Sequence, residues 1–159
     1  MKKRIDNDDG ASNIMSTFIM LAITMLISFV LIFASVQSNC INIRNAAKME
    51  LNNISARIYA DTYHSQREVD LNNYMDTLNF SQLYQNTLRS DFINGLSIRI
   101  PLTTSNYSIQ NIQLQFSRAA EKINYKMSCD VTFHFQMMGK QYPFTVRQIR
   151  LTGSHNIKI

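Results

Sequence analysis

The sequence predicts an α+β chain in which a long N-terminal transmembrane helix continues into an amphipathic helix packed on a roughly four-stranded antiparallel sheet. Three observations predict it. Residues 14–36 are an unbroken apolar run without charge, proline or glycine. Beyond it, apolar residues recur at every third or fourth position as far as Ile58. After Gly95 the apolar residues switch to strict alternation, the pattern of a half-buried strand.

Residues 1–13 form a polar leader carrying Lys2, Lys3 and Arg4. By the positive-inside tendency this leader stays in the cytoplasm, which places the C-terminal domain, residues 37–159, outside it. The run 14–36 holds twenty-three residues. As a helix it rises ~35 Å, enough to cross a ~30 Å hydrocarbon core with slight tilt. In lipid each backbone N–H and C=O needs an internal partner, so the segment must be helical there. A cleaved signal peptide is the competing reading, with Val36-Gln37-Ser38 as its cleavage site. Secretory apolar regions run only ~7–15 residues, and that length criterion favours a retained single-pass anchor.

Within the span, Thr17, Thr24, Ser28 and Ser35 fall on one helical stripe. Small hydroxyl residues on one face let two helices approach closely in lipid. They also bond carbonyls of their own helix, which requires no partner. Both readings are open.

From Gln37 to Thr62 there is again no proline or glycine. Cys40, Ile43, Ala47, Leu51, Ile54 and Ile58 make an apolar stripe, while Arg44, Lys48, Asn52 and Arg57 lie elsewhere on the helix. One helix is therefore expected from about Asn13 to about Tyr63, on the order of 75 Å long. An amphipathic second half requires a folded layer to cover its stripe. His64-Ser65-Gln66-Arg67 interrupts the pattern, and Glu68–Leu78 reads as a short helix. Ser81 is an N-cap candidate for a second short helix, Gln82–Ile93, which Asn94-Gly95 is expected to end.

Four strands follow. Leu96, Ile98, Ile100 and Leu102 mark the first, with Pro101 indicating an edge. Thr103–Tyr107 reads as a polar loop, and Ile112, Leu114 and Phe116 mark the second strand. The third is the clearest: Ile123, Tyr125, Met127, Cys129, Val131, Phe133 and Phe135 alternate with polar neighbours without a fault. Gly139-Lys140 makes a hairpin turn into the fourth, marked by Tyr142, Phe144 and Val146. Ile149 and Leu151 continue it one residue out of phase, which predicts a β-bulge near Arg147-Gln148. Gly153–Ile159 is a tail or a short final strand.

Composition narrows the function classes. The net charge is +5, but the basic residues are spread without a run, so nucleic acid is not indicated as a partner. His64, His134 and His155 are far apart, and His134 falls on the polar face of its strand, where solvation is expected. Asp61, Asp70, Asp76 and Asp91 have no partner at a defined spacing and read as solvated surface. No nucleophile and base can be assembled and no phosphate-cradling glycine loop is present, so no catalytic, cofactor-binding or metal-binding residue is assigned and an enzyme is not indicated. The two cysteines, Cys40 and Cys129, could bridge in an oxidising compartment or remain buried free thiols.

The layout and a few short motifs carry a resemblance. Asp9-Gly10-Ala11 precedes the span, Asn45-Ala46-Ala47-Lys48 follows it, and the hairpin Ile123–Leu151 closes the chain. Together these resemble type IV pilin-like proteins, and among them the TadE-like minor pilins of tight-adherence pili. The resemblance implies a structural subunit of a surface pilus or related secretion assembly, partnered by membrane lipid and by other pilin-like or secretion-system subunits in a homo- or hetero-oligomer. It also implies processing between Gly10 and Ala11. In such pilins a glutamate stands five residues into the mature chain, where Met15 stands here. A charge that would pair with a neighbour's amine in lipid is thus missing, which fits a minor, initiating or unprocessed subunit. The alternative function is an anchored extracytoplasmic module that binds a wall polymer, DNA or a protein partner as a monomer.

Overall fold

A computed structural model of the protein describes residues 8–68, 82–119, 122–137 and 139–156. Among these residues, two helices, α1 (Asp8–Glu68) and α2 (Gln82–Arg99), precede three strands, β1 (Tyr107–Ala119), β2 (Lys122–Met137) and β3 (Lys140–Asn156). The class is α+β. The strands form one antiparallel sheet in the order β1-β2-β3. The chain divides into two compact units, Met1–Asn39 and Cys40–Ile159.

In the first unit, every described residue from Asn13 to Ser35 is exposed. Leu, Ile, Phe and Met cover all sides of this helical segment, so no face is reserved for a core of its own chain. It belongs to the one helix among the described residues that is long and apolar enough to cross a membrane.

In the second unit, the expected α1 stripe is buried from its second residue on: Ile43, Ala47, Leu51, Ile54 and Ile58 are at most 2% exposed, while Cys40 at its start is half-buried. Ser55 joins them, its hydroxyl donating to the Leu51 carbonyl at 2.8 Å so that no polar group is stranded. Helix α2 adds Leu88, Phe92 and Leu96. The sheet supplies Tyr107, Ile109, Ile112 and Phe116 from β1, Ile123 through Phe133 at alternate positions from β2, and Ile149 and Leu151 from β3. The opposite face of the sheet is polar and solvated, as an antiparallel sheet covered on one side permits.

Several expected boundaries differ, each for a local reason. Helix α1 runs through His64-Ser65-Gln66-Arg67 to Glu68, since none of those residues breaks a helix as proline would. The helix expected over Glu68–Leu78 falls almost wholly outside the described residues. Helix α2 does not stop at Asn94-Gly95; it continues to Arg99 and takes Leu96 and Ile98 from the expected first strand. Leu88, Phe92 and Leu96 are spaced by four, so one helical face stays buried across the glycine, and Ile98 is left 86% exposed. Among the described residues the sheet therefore has three strands, not the four expected.

The bulges also differ. In β1 the register slips between Gln110 and Gln113, where Asn111 adopts a positive φ of 52°. Asparagine tolerates that conformation, and its side-chain amide donates to Asp130 at 2.9 Å. The slip explains why Tyr107 and Ile109 share the buried face with Ile112 and Phe116. In β3 the ladder is regular through Arg147 and Gln148, and the irregularity lies where Phe133 pairs with Thr145 but His134 with Pro143. Phe144 is the extra residue, beside a proline that has no N–H for the ladder. Gly139 turns the β2–β3 hairpin with φ 75°, as expected, and β3 continues through Gly153 to Asn156.

Candidate functional site

Three of the four hydroxyls of the span stripe bond carbonyls of their own helix. Thr17 donates to the Asn13 carbonyl at 2.8 Å, Thr24 to Leu21 at 2.9 Å, and Ser28 to Thr24 at 2.8 Å. Ser35 is exposed. These hydroxyls can thus sit in lipid without a partner helix, while the small side chains leave the face open to one. Gly10 and Ala11 lie within the first turns of α1.

Cys40 and Cys129 are free thiols in the second unit. Cys129 is buried at the centre of β2, opposite Ile149. Burial, then the neighbouring Asp130 and Cys40, push its thiol up to about 11. Burial also raises Cys40, partly offset by Arg147. Raised pKa values keep both sulfurs protonated near neutral pH and slow to react.

The polar contacts of α1 are divided by side. Towards α2, each cation meets a carboxylate. Arg57 pairs with Asp91, which is therefore not the unpartnered carboxylate expected from the sequence. Arg99 Nε donates to Glu50 at 2.9 Å, with the Glu50 side chain only 13% exposed. A Cβ at residue 95 would land on the Glu50 carboxyl group, so Gly95 is the recess into which Glu50 fits. That close approach, not helix termination, is why glycine stands there.

Towards β3 the arrangement is the reverse. A groove of about 460 Å³ opens between α1 and the edge strand β3. Ile41, Arg44, Asn45 and Lys48 line it from the helix, and Tyr125, Arg150, Leu151 and Thr152 from the sheet. Arg44 and Lys48 bring two positive charges to it from the helix, and no carboxylate lines it; Arg150, opposite Ser128 in the ladder, carries its side chain to the solvated face, where its Nε donates to Gln148 at 2.9 Å. Tyr125 is set there by its cross-strand partner Gly153, over which its ring lies, and its hydroxyl is 3.4 Å from Asn52 Oδ1. The sequence gives no sign of this groove, because its sheet wall is set only by the pairing of β2 with β3.

His134 is half-buried and not merely solvated: its Nε2 shares a 3.2 Å hydrogen bond with the buried Ser108 hydroxyl. Among the described residues there is no group of three or more His, Cys, Asp or Glu side chains able to hold a metal. No family model, curated protein or solved structure matches the chain.

Proposed function

We propose that the protein is a membrane-anchored structural subunit, a minor pilin or pseudopilin of a surface pilus or related secretion assembly. The observation that supports this most is the contrast along α1. Asn13–Ser35 is apolar and exposed on every side, while the stripe from Ile43 to Ile58 is buried in a domain. A segment with no cover from the described residues needs lipid or other helices around it. The resemblance carried by Asp9-Gly10-Ala11, Asn45-Ala46-Ala47-Lys48 and the β2–β3 hairpin supplies the pilin-like form of the proposal. The leader lies in the cytoplasm and the second unit outside it.

Helix packing through Thr17, Thr24, Ser28 and Ser35 is the assembly step. Thr24→Leu with Ser28→Leu keeps the span apolar and fills the narrow face. Such a chain is expected to insert normally and lose co-purification with its partner subunits. Unchanged co-purification would remove the stripe from the assembly. The second reading, an anchored binding module, is favoured by the basic groove and predicts a monomer indifferent to those two substitutions.

A further inference from the structure

We propose that the closed end of the β2–β3 hairpin lies in the headgroup region of the membrane that holds the apolar run, with Phe135, Tyr142 and Phe144 as its apolar contacts and Lys140 and Arg147 as its cations. The proposal rests on the membrane-span reading of residues 14–36 and not on the pilin-like one. The first ground is a break in the pattern of the sheet. Along most of its length the outward face is polar: Lys126, Ser128 and Asp130 of β2 stand beside Thr152, Arg150 and Gln148 of β3. Towards the turn this ends. Val146, paired with Thr132 on that outward face, is exposed. On the other face Phe135 and Tyr142 pair beyond the buried Phe133, exposed, with ring centroids 5.8 Å apart. Phe144, the extra residue of the bulge, is exposed as well. The other exposed large apolar side chains among the described residues of the second unit, Ile41, Met49 and Ile98, lie on the helices. A hairpin end that shows apolar side chains on both faces is not covered by the core beneath one of them.

The second ground is position. The rings of Tyr59 and His155 lie 6.4 Å apart, the Tyr125 hydroxyl is 3.4 Å from Asn52 Oδ1, and Cys40 is close enough to Cys129 to raise its thiol. Moving towards the N-terminus of α1 thus means moving along β2 towards its C-terminal end. Phe135 stands six residues beyond Cys129, about 20 Å along an extended strand. The closed end therefore projects past Cys40, on the side from which α1 enters the unit. In the sequence Cys40 follows Val36, the last residue of the apolar run, by four positions. The lipid surface at the end of that run is within reach of the hairpin. The third ground is chemistry. Aromatic rings, tyrosine above all, suit the boundary between acyl chains and headgroups. No acidic residue follows Asp130 in the sequence, whereas Lys140, Arg147 and Arg150 do, and cations close to a membrane favour anionic lipid. Gln141 Nε2 donates to the Ser105 carbonyl at 3.3 Å, which ties the hairpin end to the segment before β1.

The chain contains no tryptophan, so one introduced tryptophan reports a single place. The full chain is reconstituted in vesicles of phosphatidylcholine and phosphatidylglycerol. In one set the phosphatidylcholine is brominated high on its acyl chains, in another deep, and bromine quenches a tryptophan that touches it. Phe144→Trp is expected to emit further to the blue than Thr152→Trp, on the polar face of β3. It is also expected to lose emission in the first set, where Thr152→Trp keeps its own. Tyr142→Trp repeats the measurement if Phe144→Trp disturbs the bulge. Leu26→Trp, within the apolar run, reports the span alone and is expected to be quenched in the second set. Quenching of Leu26→Trp with none of Phe144→Trp or Tyr142→Trp overturns the proposal and leaves the anchor standing. A blue-shifted but unquenched Phe144→Trp also overturns it, because another protein chain then covers the patch. Absence of quenching at Leu26→Trp overturns the span and the proposal together.

Discussion

Two stretches of the same helix differ in everything except their backbone. Asn13–Ser35 is exposed all round, and Cys40–Ala60 buries one stripe and exposes the rest. Both are free of proline and glycine, so propensity does not separate them. What separates them is the distribution of apolar side chains around the axis: uniform in the first and confined to one face in the second. Where one face is apolar, the chain's own sheet and α2 cover it. Where every face is apolar, the described residues offer no cover, and the segment is long and apolar enough to cross a membrane.

The largest expected effect tests that contrast directly. Leu51 is fully buried, so Leu51→Ala removes its packing and leaves a cavity, at a cost of ~2–5 kcal/mol to the second unit. Leu26 is 66% exposed in the first stretch, and Leu26→Ala is expected to change the unfolding of the second unit by no more than ~0.5 kcal/mol. Denaturant unfolding of the full chain in nanodiscs, followed by tyrosine fluorescence, measures both. Equal costs would mean that the two stretches are not energetically distinct.

Next comes the centre of the core. The folded-state pKa of Cys129, about 11, lies above the ordinary thiol value of 9.0. The fold thus favours the protonated thiol. That preference contributes fully below pH ~9 and is lost as pH rises through ~11, because the thiolate is tolerated in the unfolded chain and not in the core. Stability is expected to fall across this window, and Cys129→Ala is expected to flatten the fall whatever its effect at neutral pH. An identical alkaline slope in the variant would place the lost stability in other groups.

The difference between the two stretches was legible in the sequence because it is local: Ile43, Ala47, Leu51, Ile54 and Ile58 announce their face by spacing alone. The alternation of Ile123 to Phe133 announces β2 in the same way. What was not legible depends on residues far apart in the chain. Leu96 and Ile98 fit both a strand and a helix, and the choice falls to helix because Leu96 completes a face with Leu88 and Phe92. Gly95 looks like a terminator until Glu50 is seen lying over it. The groove beside Arg44 and Lys48 is missed for the same reason: its other wall, Tyr125 and Leu151, comes up to the helix only after β3 has paired with β2.

Gly95 gives a smaller and sharper test. Alanine is favoured over glycine in a helix interior by about 1 kcal/mol. At this position its methyl would displace the Glu50 carboxylate from its place beside Arg99. Gly95→Ala in the native chain is therefore expected to gain little or to lose stability. In a Glu50→Ala background the obstruction is gone, and the same substitution is expected to stabilise by about 1 kcal/mol. A double-mutant cycle reads the difference, and additive effects would separate Gly95 from Glu50.

The smallest expected effect concerns the outer rim of the α1–α2 contact. Arg57 and Asp91 pair with side chains 52% and 38% exposed, where water screens the charges and ordering two side chains costs entropy. A double-mutant cycle with Arg57→Ala and Asp91→Ala is expected to give a coupling of only ~0.2–1 kcal/mol, decreasing as salt is added. The Glu50–Arg99 pair, with Glu50 recessed over Gly95, is expected to couple more strongly and to depend less on salt. The reverse order would mean that exposure does not rank the two bridges. The seam between the helices would then be held at its rim and not at its recess.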